Sequence, residues 1–405
     1  MNFQIPQGFF FSTCTAGIKA SGRPDLALAL VPDGASAAAM FTRNQIVGAP
    51  VILGREHLRR SRGNIHALIV NAGNANCATG KHGIQAANAV CSATAKALGF
   101  HSSQVFPSST GIIGVPLPFE KIVAAVPGLV ASARGSLSTI ASANANPGAL
   151  DEFAAAIMTT DTRKKIAAAE LVFKKRPVRL VGVAKGAGMI HPNMATMLVY
   201  LFTDIVATPR ELQSCLKTAV DQSFNNISID GDTSTNDTTL LLASGKSGVQ
   251  LKSARKHFEE ALTNVCRSLA KQIVSDGEGV KHVVRLIIEQ ARSTDDARKI
   301  ARAIANSPLV KTAWAGCDPN WGRMLAAIGY SGVKIDPSRI SIYLGKQRIC
   351  HQGAAAEFDK ARAHEYMKQP EYDIRFSLGS GKSRLDFLSC DLTTEYIHIN
   401  ADYST

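Results

Sequence analysis

The chain has 405 residues, 45% hydrophobic and 19% charged, the composition of an ordinary globular protein long enough for two or three lobes, which excludes disorder. No run of about 18 apolar residues exists, which excludes a membrane helix, and Phe9-Phe10-Phe11 is short and has no basic residues before it, which argues against a signal peptide and for a cytoplasmic protein. A formal net charge of +13 invites a nucleic-acid partner, yet the densest basic groups, Arg55 to Arg62 and Lys174-Lys175-Arg176, lack interleaved aromatics and read as solvated surface that attracts anionic metabolites.

Up to about Gly54, short apolar runs alternate with turns, and residues 27–31, 37–41 and 51–53 are predicted as short strands. A further strand over 67–70 leads into Asn71-Ala-Gly-Asn-Ala-Asn76, whose Asn and Gly residues tolerate turn backbone. Ile84, Ala87, Cys91 and Leu98 fall at helical spacing, so 83–98 is predicted helical with Gly99 as its stop. Val105 to Gly114 reads Val-Phe-Pro-Ser-Ser-Thr110-Gly111-Ile-Ile-Gly, which as plain structure is a turn between strands. A Thr-Gly pair can also offer a hydroxyl and an unhindered backbone N–H to one point, as a developing oxyanion requires.

Alanine-rich helical text covers 119–133 and 149–157, and the second stretch runs into Met158-Thr159-Thr160-Asp161-Thr162, whose hydroxyls and carboxylate suit a capped turn. The organising stretch follows: Lys185-Gly-Ala-Gly-Met-Ile-His-Pro-Asn-Met-Ala-Thr196-Met-Leu-Val-Tyr-Leu-Phe-Thr203. The apolar run from Met197 to Phe202 predicts a strand buried on both faces, with Thr196 at its entry. That is where an N-terminal nucleophile would be placed. A Thr hydroxyl needs a base, and a free α-amine can serve where a backbone amide cannot, so cleavage before Thr196 would create the catalyst. Lys185 suits a carboxylate ligand, a modifier of that amine by like-charge repulsion, or a solvated loop lysine.

Thr208-Pro-Arg-Glu211 is a capping box opening a helix with a stripe of Leu212, Cys215, Leu216 and Ala219. The run Ser228-Ile-Asp230-Gly-Asp232-Thr-Ser-Thr-Asn236-Asp237 resembles a calcium loop but lacks the closing Glu, and reads as structural or as support behind the site. A long amphipathic helix through Phe258, Leu262, Cys266, Leu269 and Ile273 breaks at Asp276-Gly-Glu278-Gly279, where a projecting carboxylate could hold an ammonium or be an exposed turn glutamate. Thr294 to Asn306 is a further helix, Arg323 is expected to clamp a carboxylate or to pair with Asp318, and a last helix is predicted over 354–367. The eight scattered cysteines form no Cys-x-x-Cys pair and the ten histidines no ligand spacing; His191 reads as a loop residue and no metal is implied.

Lys185-Gly-Ala-Gly-Met-Ile-x-Pro-Asn-Met-Ala-Thr196-Met-Leu, the Asn71–Asn76 run, Ser109-Thr110-Gly111, Thr-Thr-Asp-Thr, Asp-Gly-Glu278-Gly and the stretch from Asn306 to Arg323 together resemble the ornithine acetyltransferase family, the glutamate N-acetyltransferases of cyclic arginine biosynthesis. The likeness runs from Asn71 to Thr405. It departs where Val280-Lys281-His282 replaces the family's Ala-Thr-Lys, which bears on the geometry beside Glu278.

The resemblance implies self-cleavage between Ala195 and Thr196 into an α chain (1–195) and a β chain (196–405), assembled as an α2β2 heterotetramer. It implies an α/β fold, a layered α/β sandwich with strands from both chains beside a second, smaller α/β lobe. Thr196 would be the nucleophile and Thr110 with Gly111 the oxyanion hole. Thr159, Lys185, Thr196, Glu278, Asn400 and Thr405 would hold substrate, the last two by a terminus folded over the site. The reaction implied moves acetyl from N-acetylornithine to glutamate through an acetyl-Thr196 ester, with no cofactor and with acetyl-CoA left open as a second donor. The alternative is an aminopeptidase or amidohydrolase of the related self-processing superfamily, in which water takes the acyl group.

Overall fold

The computed structural model describes residues 4–139, 147–191 and 197–402. Strands β1 (Phe10–Cys14), β2 (Leu26–Phe41), β3 (Asn64–Asn74), β4 (Val105–Ile112), β5 (Lys165–Phe173), β6 (Arg176–Lys185), β7 (Leu198–Thr203) and β8 (Thr238–Ala243) form one sheet in the order β4-β3-β2-β8-β7-β6-β5, with β1 also on β2. Strands from both sides of residues 195 and 196 belong to this sheet.

This sheet folds back on itself. In the strand order β4 and β7 lie four places apart, roughly 19 Å in a flat sheet, yet the Tyr200 hydroxyl on β7 donates to Ser108 Oγ on β4 at 2.7 Å. The fold line lies in β2, whose pairing with β3 becomes irregular between Leu30 and Ala35, around Pro32-Asp-Gly34. Residues 26–30 pair with β3 in one leaf and 36–41 with β8 in the other. The two short strands expected at 27–31 and 37–41 are thus one bent strand shared by both leaves.

Between the leaves lies an aromatic layer in which Phe202 meets Phe9, Phe11 and Phe153 edge-on at centroid distances of 5.2, 5.1 and 6.2 Å. Leu198, Tyr200 and Phe202 of β7 face this layer, while Val199 and Leu201 face helices outside, so both faces of the apolar run are buried as predicted. Outside the first leaf are α1 (Ala49–Arg60), α2 (Gly80–Leu98) and α3 (Phe119–Thr139). Helix α4 (Pro147–Ala156) supplies Phe153 to the inner layer, and α5 (Pro209–Asp221) and α6 (Leu251–Ser275) cover the second leaf. The capping box at Thr208 forms as expected.

The strand expected at 51–53 is instead part of α1. Pro50 suits the first helical turn, and Val51, Leu53, Gly54 and His57 form one buried face at helical spacing.

The second lobe carries β9 (Val283–Ala291), α7 (Thr294–Ala305), α8 (Pro308–Ala315), α9 (Trp321–Gly329), β10 (Ser341–Leu344), β11 (Gln347–His351), β12 (Ala354–Ala355), α10 (Lys360–Met367), β13 (Glu371–Ser377) and β14 (Ser383–Cys390), with sheet order β12-β11-β10-β13-β9-β14. The helix expected over 354–367 begins only at Lys360, because Ala354 and Ala355 pair with β11 and Asp359 caps the helix through Arg362 N–H. The chain then returns to the first lobe as α11 (Thr394–Asp402). This two-lobed, layered α/β architecture is the expected fold class.

Candidate active site

Six of the residues singled out by sequence line one cleft of about 190 Å³: Thr110, Gly111, Thr159, Lys185, Glu278 and Asn400. They come from positions separated by as many as 290 residues. Ala195, Thr196 and Thr405 lie outside the described residues.

Thr110 and Gly111 lie among the last three residues of β4, where Ala72 and Gly73 of β3 are their partners. Gly111 has φ +131°, and a Cβ there would fall 2.2 Å from the Gly73 carbonyl carbon and 2.4 Å from Asn74 N. Only glycine permits this approach of two backbones. The Asn236 side chain staples the same corner, its Nδ2 donating to the carbonyls of Ala75 (2.6 Å) and Ser109 (2.9 Å). Gly111→Ala should therefore part β3 from β4 and destabilise the protein by about 3 kcal/mol. A fall in the denaturant midpoint at unchanged slope checks this; an unchanged midpoint would show that the corner yields freely.

Lys185 ends β6 and is paired in register with Leu198, the first residue of β7. Residues 186–197 therefore connect two antiparallel neighbours at the cleft. The buried Lys185 Nζ donates to Thr110 Oγ1 at 3.2 Å. Burial lowers its proton affinity, opposed chiefly by Asp161. Asp161 is itself buried, which alone would raise its pKa, but Lys185 and Lys165 hold it at about 2, so it stays a carboxylate.

Two carboxylates grip the glycine-rich segment. Asp230 accepts from the N–H groups of Met189 (2.5 Å) and Ile190 (2.9 Å), fixing Met189 in a left-handed conformation at φ 56°. Beyond the undescribed residues, Met197 N–H donates to Asp237 Oδ1 at 2.9 Å. Burial raises the Asp237 pKa well above that of an ordinary carboxyl. Met189 and Asn236 both line the cleft, and Met197 is held by Asp237, the neighbour of Asn236. The Asp230–Asp237 run was expected to be support, yet Asp230, Asp232, Ser234 and Thr235 also face the cleft. Its dense repetition of short polar side chains was the available signal.

Glu278 faces the cleft from the break after α6. It packs where Gly188 has no side chain, since a Cβ there would lie 2.4 to 2.7 Å from the carboxylate. Asn400 Nδ2 donates to Glu278 Oε2 at 2.9 Å, and Tyr396 OH donates to Asp230 Oδ2 at 3.4 Å, so α11 closes over this side. Tyr396 also lines the cleft and escaped the sequence reading. The unusual Val280-Lys281-His282 is tied down, with the N–H groups of Lys281 and His282 on Asp391 Oδ1 at 3.0 and 3.1 Å. Glu278 N–H donates to the Ala187 carbonyl at 2.9 Å.

Other expectations fall away from the cleft. Arg323 is neither a carboxylate clamp here nor paired with Asp318: its Nη1 donates to the Leu309 carbonyl at 2.8 Å, bracing α8. His191 is a loop residue, its Nδ1 3.0 Å from Asn306 Nδ2, and burial lowers its pKa to about 4, so the ring is neutral. Among the described residues no group of three or more His, Cys, Asp or Glu side chains could hold a metal ion, and no helix is long and apolar enough to cross a membrane.

A mixed α/β fold with one cleft lined by a buried lysine, several threonine hydroxyls and the carboxyl groups of Asp230, Asp232 and Glu278 is that of an enzyme-type protein. The sequence model of the ArgJ family matches residues 10–405, and the chain belongs to that family. The arginine biosynthesis bifunctional protein ArgJ of Methylococcus capsulatus is 45% identical over 404 residues, covering 98% of this chain and 95% of that one. The protein of the same name from Thermus thermophilus is 42% identical over 406 residues, covering 100% of each. A crystal structure of the Bacillus halodurans arginine biosynthesis bifunctional protein argJ is 35% identical with a TM-score of 0.49, covering 50% of this chain and 98% of that one.

Proposed function

We propose that this member of the ArgJ family transfers acetyl from N-acetylornithine to glutamate by way of an acetyl-Thr196 ester. The observation that carries the reading is the Lys185–Thr110 contact at the base of the cleft. A hydroxyl that accepts from an ammonium has its own proton free to donate elsewhere, and buried charge strengthens that donation. Thr110 Oγ1 and the Gly111 N–H then serve a developing oxyanion.

Self-cleavage frees the Thr196 α-amine. In transfer, that amine takes the hydroxyl proton as Thr196 Oγ attacks the acetyl carbonyl. The tetrahedral oxyanion collapses, the C–N bond breaks, and the proton passes to the departing ornithine amine. Glutamate then presents its neutral amine to the ester carbonyl, forming the amide and returning the Thr196 hydroxyl. Thr159, Glu278, Asn400 and Thr405 hold the amino-acid portion. The α and β fragments assemble as α2β2. The description of the relatives as bifunctional supports acetyl-CoA as a second donor.

Varying N-acetylornithine at several fixed glutamate concentrations should give parallel double-reciprocal lines, the mark of double displacement. Intersecting lines would mean direct transfer in a ternary complex, and acetate release without glutamate would mean a hydrolase. Acetyl-CoA with glutamate, assayed for thiol release, tests the second donor.

A further inference from the structure

Behind the cleft a buried charged cluster ties its walls together. Lys165, at the start of β5 and 1% exposed, uses all three ammonium protons: Nζ donates to Asp161 Oδ1 (2.6 Å), Asp276 Oδ2 (2.6 Å) and the Arg163 carbonyl (3.3 Å). Asp161 also accepts from Gly186 N–H on Oδ1 (2.6 Å) and from Thr159 N–H on Oδ2 (3.0 Å). Asp276 accepts from the N–H groups of Thr162 (3.1 Å) and Arg163 (3.2 Å) and from the Thr162 hydroxyl.

None of these three charged side chains lines the cleft. Yet the backbone they hold belongs to three separate segments, and each presents a cleft residue: Thr159 after α4, Lys185 immediately before Gly186, and Glu278 two residues beyond Asp276. Stability alone does not require such a cluster, since apolar groups of similar volume often serve as well in a core. What apolar groups cannot do is fix three backbones to one point and place charge beside Lys185.

We propose that Lys165, Asp161 and Asp276 are a positioning triad for acetyl transfer, which holds Thr159, Lys185 and Glu278 in register. This deepens the transferase reading and rests on it for the role of Lys185. The groups facing Lys185 are Asp161 from the segment after α4, Lys165 from β5, Asp237 from before β8, Glu278 from after α6 and Lys19 from the segment after β1. Lys165 opposes the charge on Lys185 and Asp161 supports it. Removing one or the other therefore moves the Lys185 proton in opposite directions, although both changes break the same ion pair.

The test compares wild type with Asp161→Asn, Lys165→Met and Lys165→Arg, each purified after expression of the full chain. The readouts are transfer kinetics from about pH 6 to about pH 10, melting temperature, and NMR titration of lysines carrying ¹³C at Cε. Each variant should lose roughly 10²-fold in kcat/KM through misplacement of the cleft residues. The alkaline limb should move to lower pH in Asp161→Asn, to higher pH in Lys165→Met, and stay in place in Lys165→Arg. Limbs that stay in place in all three, with rates that merely follow melting temperature, would reduce the triad to a structural ion cluster and overturn the proposal. Unchanged kcat/KM in Asp161→Asn would do the same. If Lys165→Met fails to fold, Asp161→Asn against Lys165→Arg still gives a shifted and an unshifted limb. If wild type transfers no acetyl group, the functional reading falls, while the opposed displacements of the Lys185 resonance still decide the electrostatic part.

Discussion

Thr196→Ala should purify as one intact 405-residue chain with acetyl transfer reduced by at least about 10⁴-fold, the scale on which loss of a covalent nucleophile is felt. Both losses have one cause. In the proposed self-cleavage the Thr196 hydroxyl attacks the Ala195 carbonyl, the C–N bond breaks as the acyl group moves to oxygen, and water hydrolyses the resulting ester, so a methyl side chain leaves the peptide bond whole. An uncut chain then has no α-amine at residue 196 to act as base, and alanine has no oxygen to acylate. Thr196→Ser keeps the hydroxyl and should cleave and turn over, more slowly, because the lost methyl no longer restricts the rotamer. The fold should survive, since Met197 and β7 are held by Asp237 and by both apolar layers. Intact mass spectrometry separates the outcomes, wild type giving fragments 1–195 and 196–405. A Thr196→Ala chain that is cut at this bond, or an active wild-type chain that is not, would remove Thr196 from the mechanism.

Lys185→Met should lower kcat by on the order of 10³-fold while changing KM much less, the result of removing charge that acts chiefly on the transition state. Methionine matches the reach of the side chain and is at home in a buried site, so the packing around β6 is kept. What disappears is the ammonium that donates to Thr110 Oγ1, leaving that hydroxyl free to turn away from the oxyanion. Asp161 is then left less compensated, although Lys165 still pairs with it at 2.6 Å. Because burial already weakens the hold of Lys185 on its proton, wild-type activity should decline on the alkaline side as the ammonium is lost, and this limb should vanish in the variant. Steady-state kinetics across pH check both points. A raised KM at retained kcat would instead assign Lys185 to holding the substrate carboxylate.

Much of the site was legible because its chemistry is written in short local runs. Thr110-Gly111, Lys185 before a glycine-rich loop, and Glu278 between two glycines each carry a group and the backbone freedom to present it within a few residues. Asp161, Lys165 and Asp276 were not legible. An Asp beside threonines looks like a capped turn, and a Lys opening a strand looks like surface, until residues 111 apart meet at 2.6 Å. Arg323 failed in the opposite way: Asp318 stands five residues before it, but the guanidinium finds a helix carbonyl first.

The sequence by itself determined the elements whose cause is local. The run Leu198–Thr203 must bury both faces because every side chain from Leu198 to Phe202 is apolar or aromatic, and Thr208 with Glu211 must open α5 because the two side chains satisfy each other's orphan N–H groups. It also singled out six residues that the fold gathers at one cleft. Only the tertiary structure decided that β2 bends at Pro32-Asp-Gly34 and serves two leaves, that β4 swings over to meet β6 and β7, and that a buried lysine joins three walls of the cleft. Those outcomes depend on contacts between residues tens to hundreds of positions apart, whose energies come from burial and shared hydrogen bonds rather than from the preferences of any single stretch.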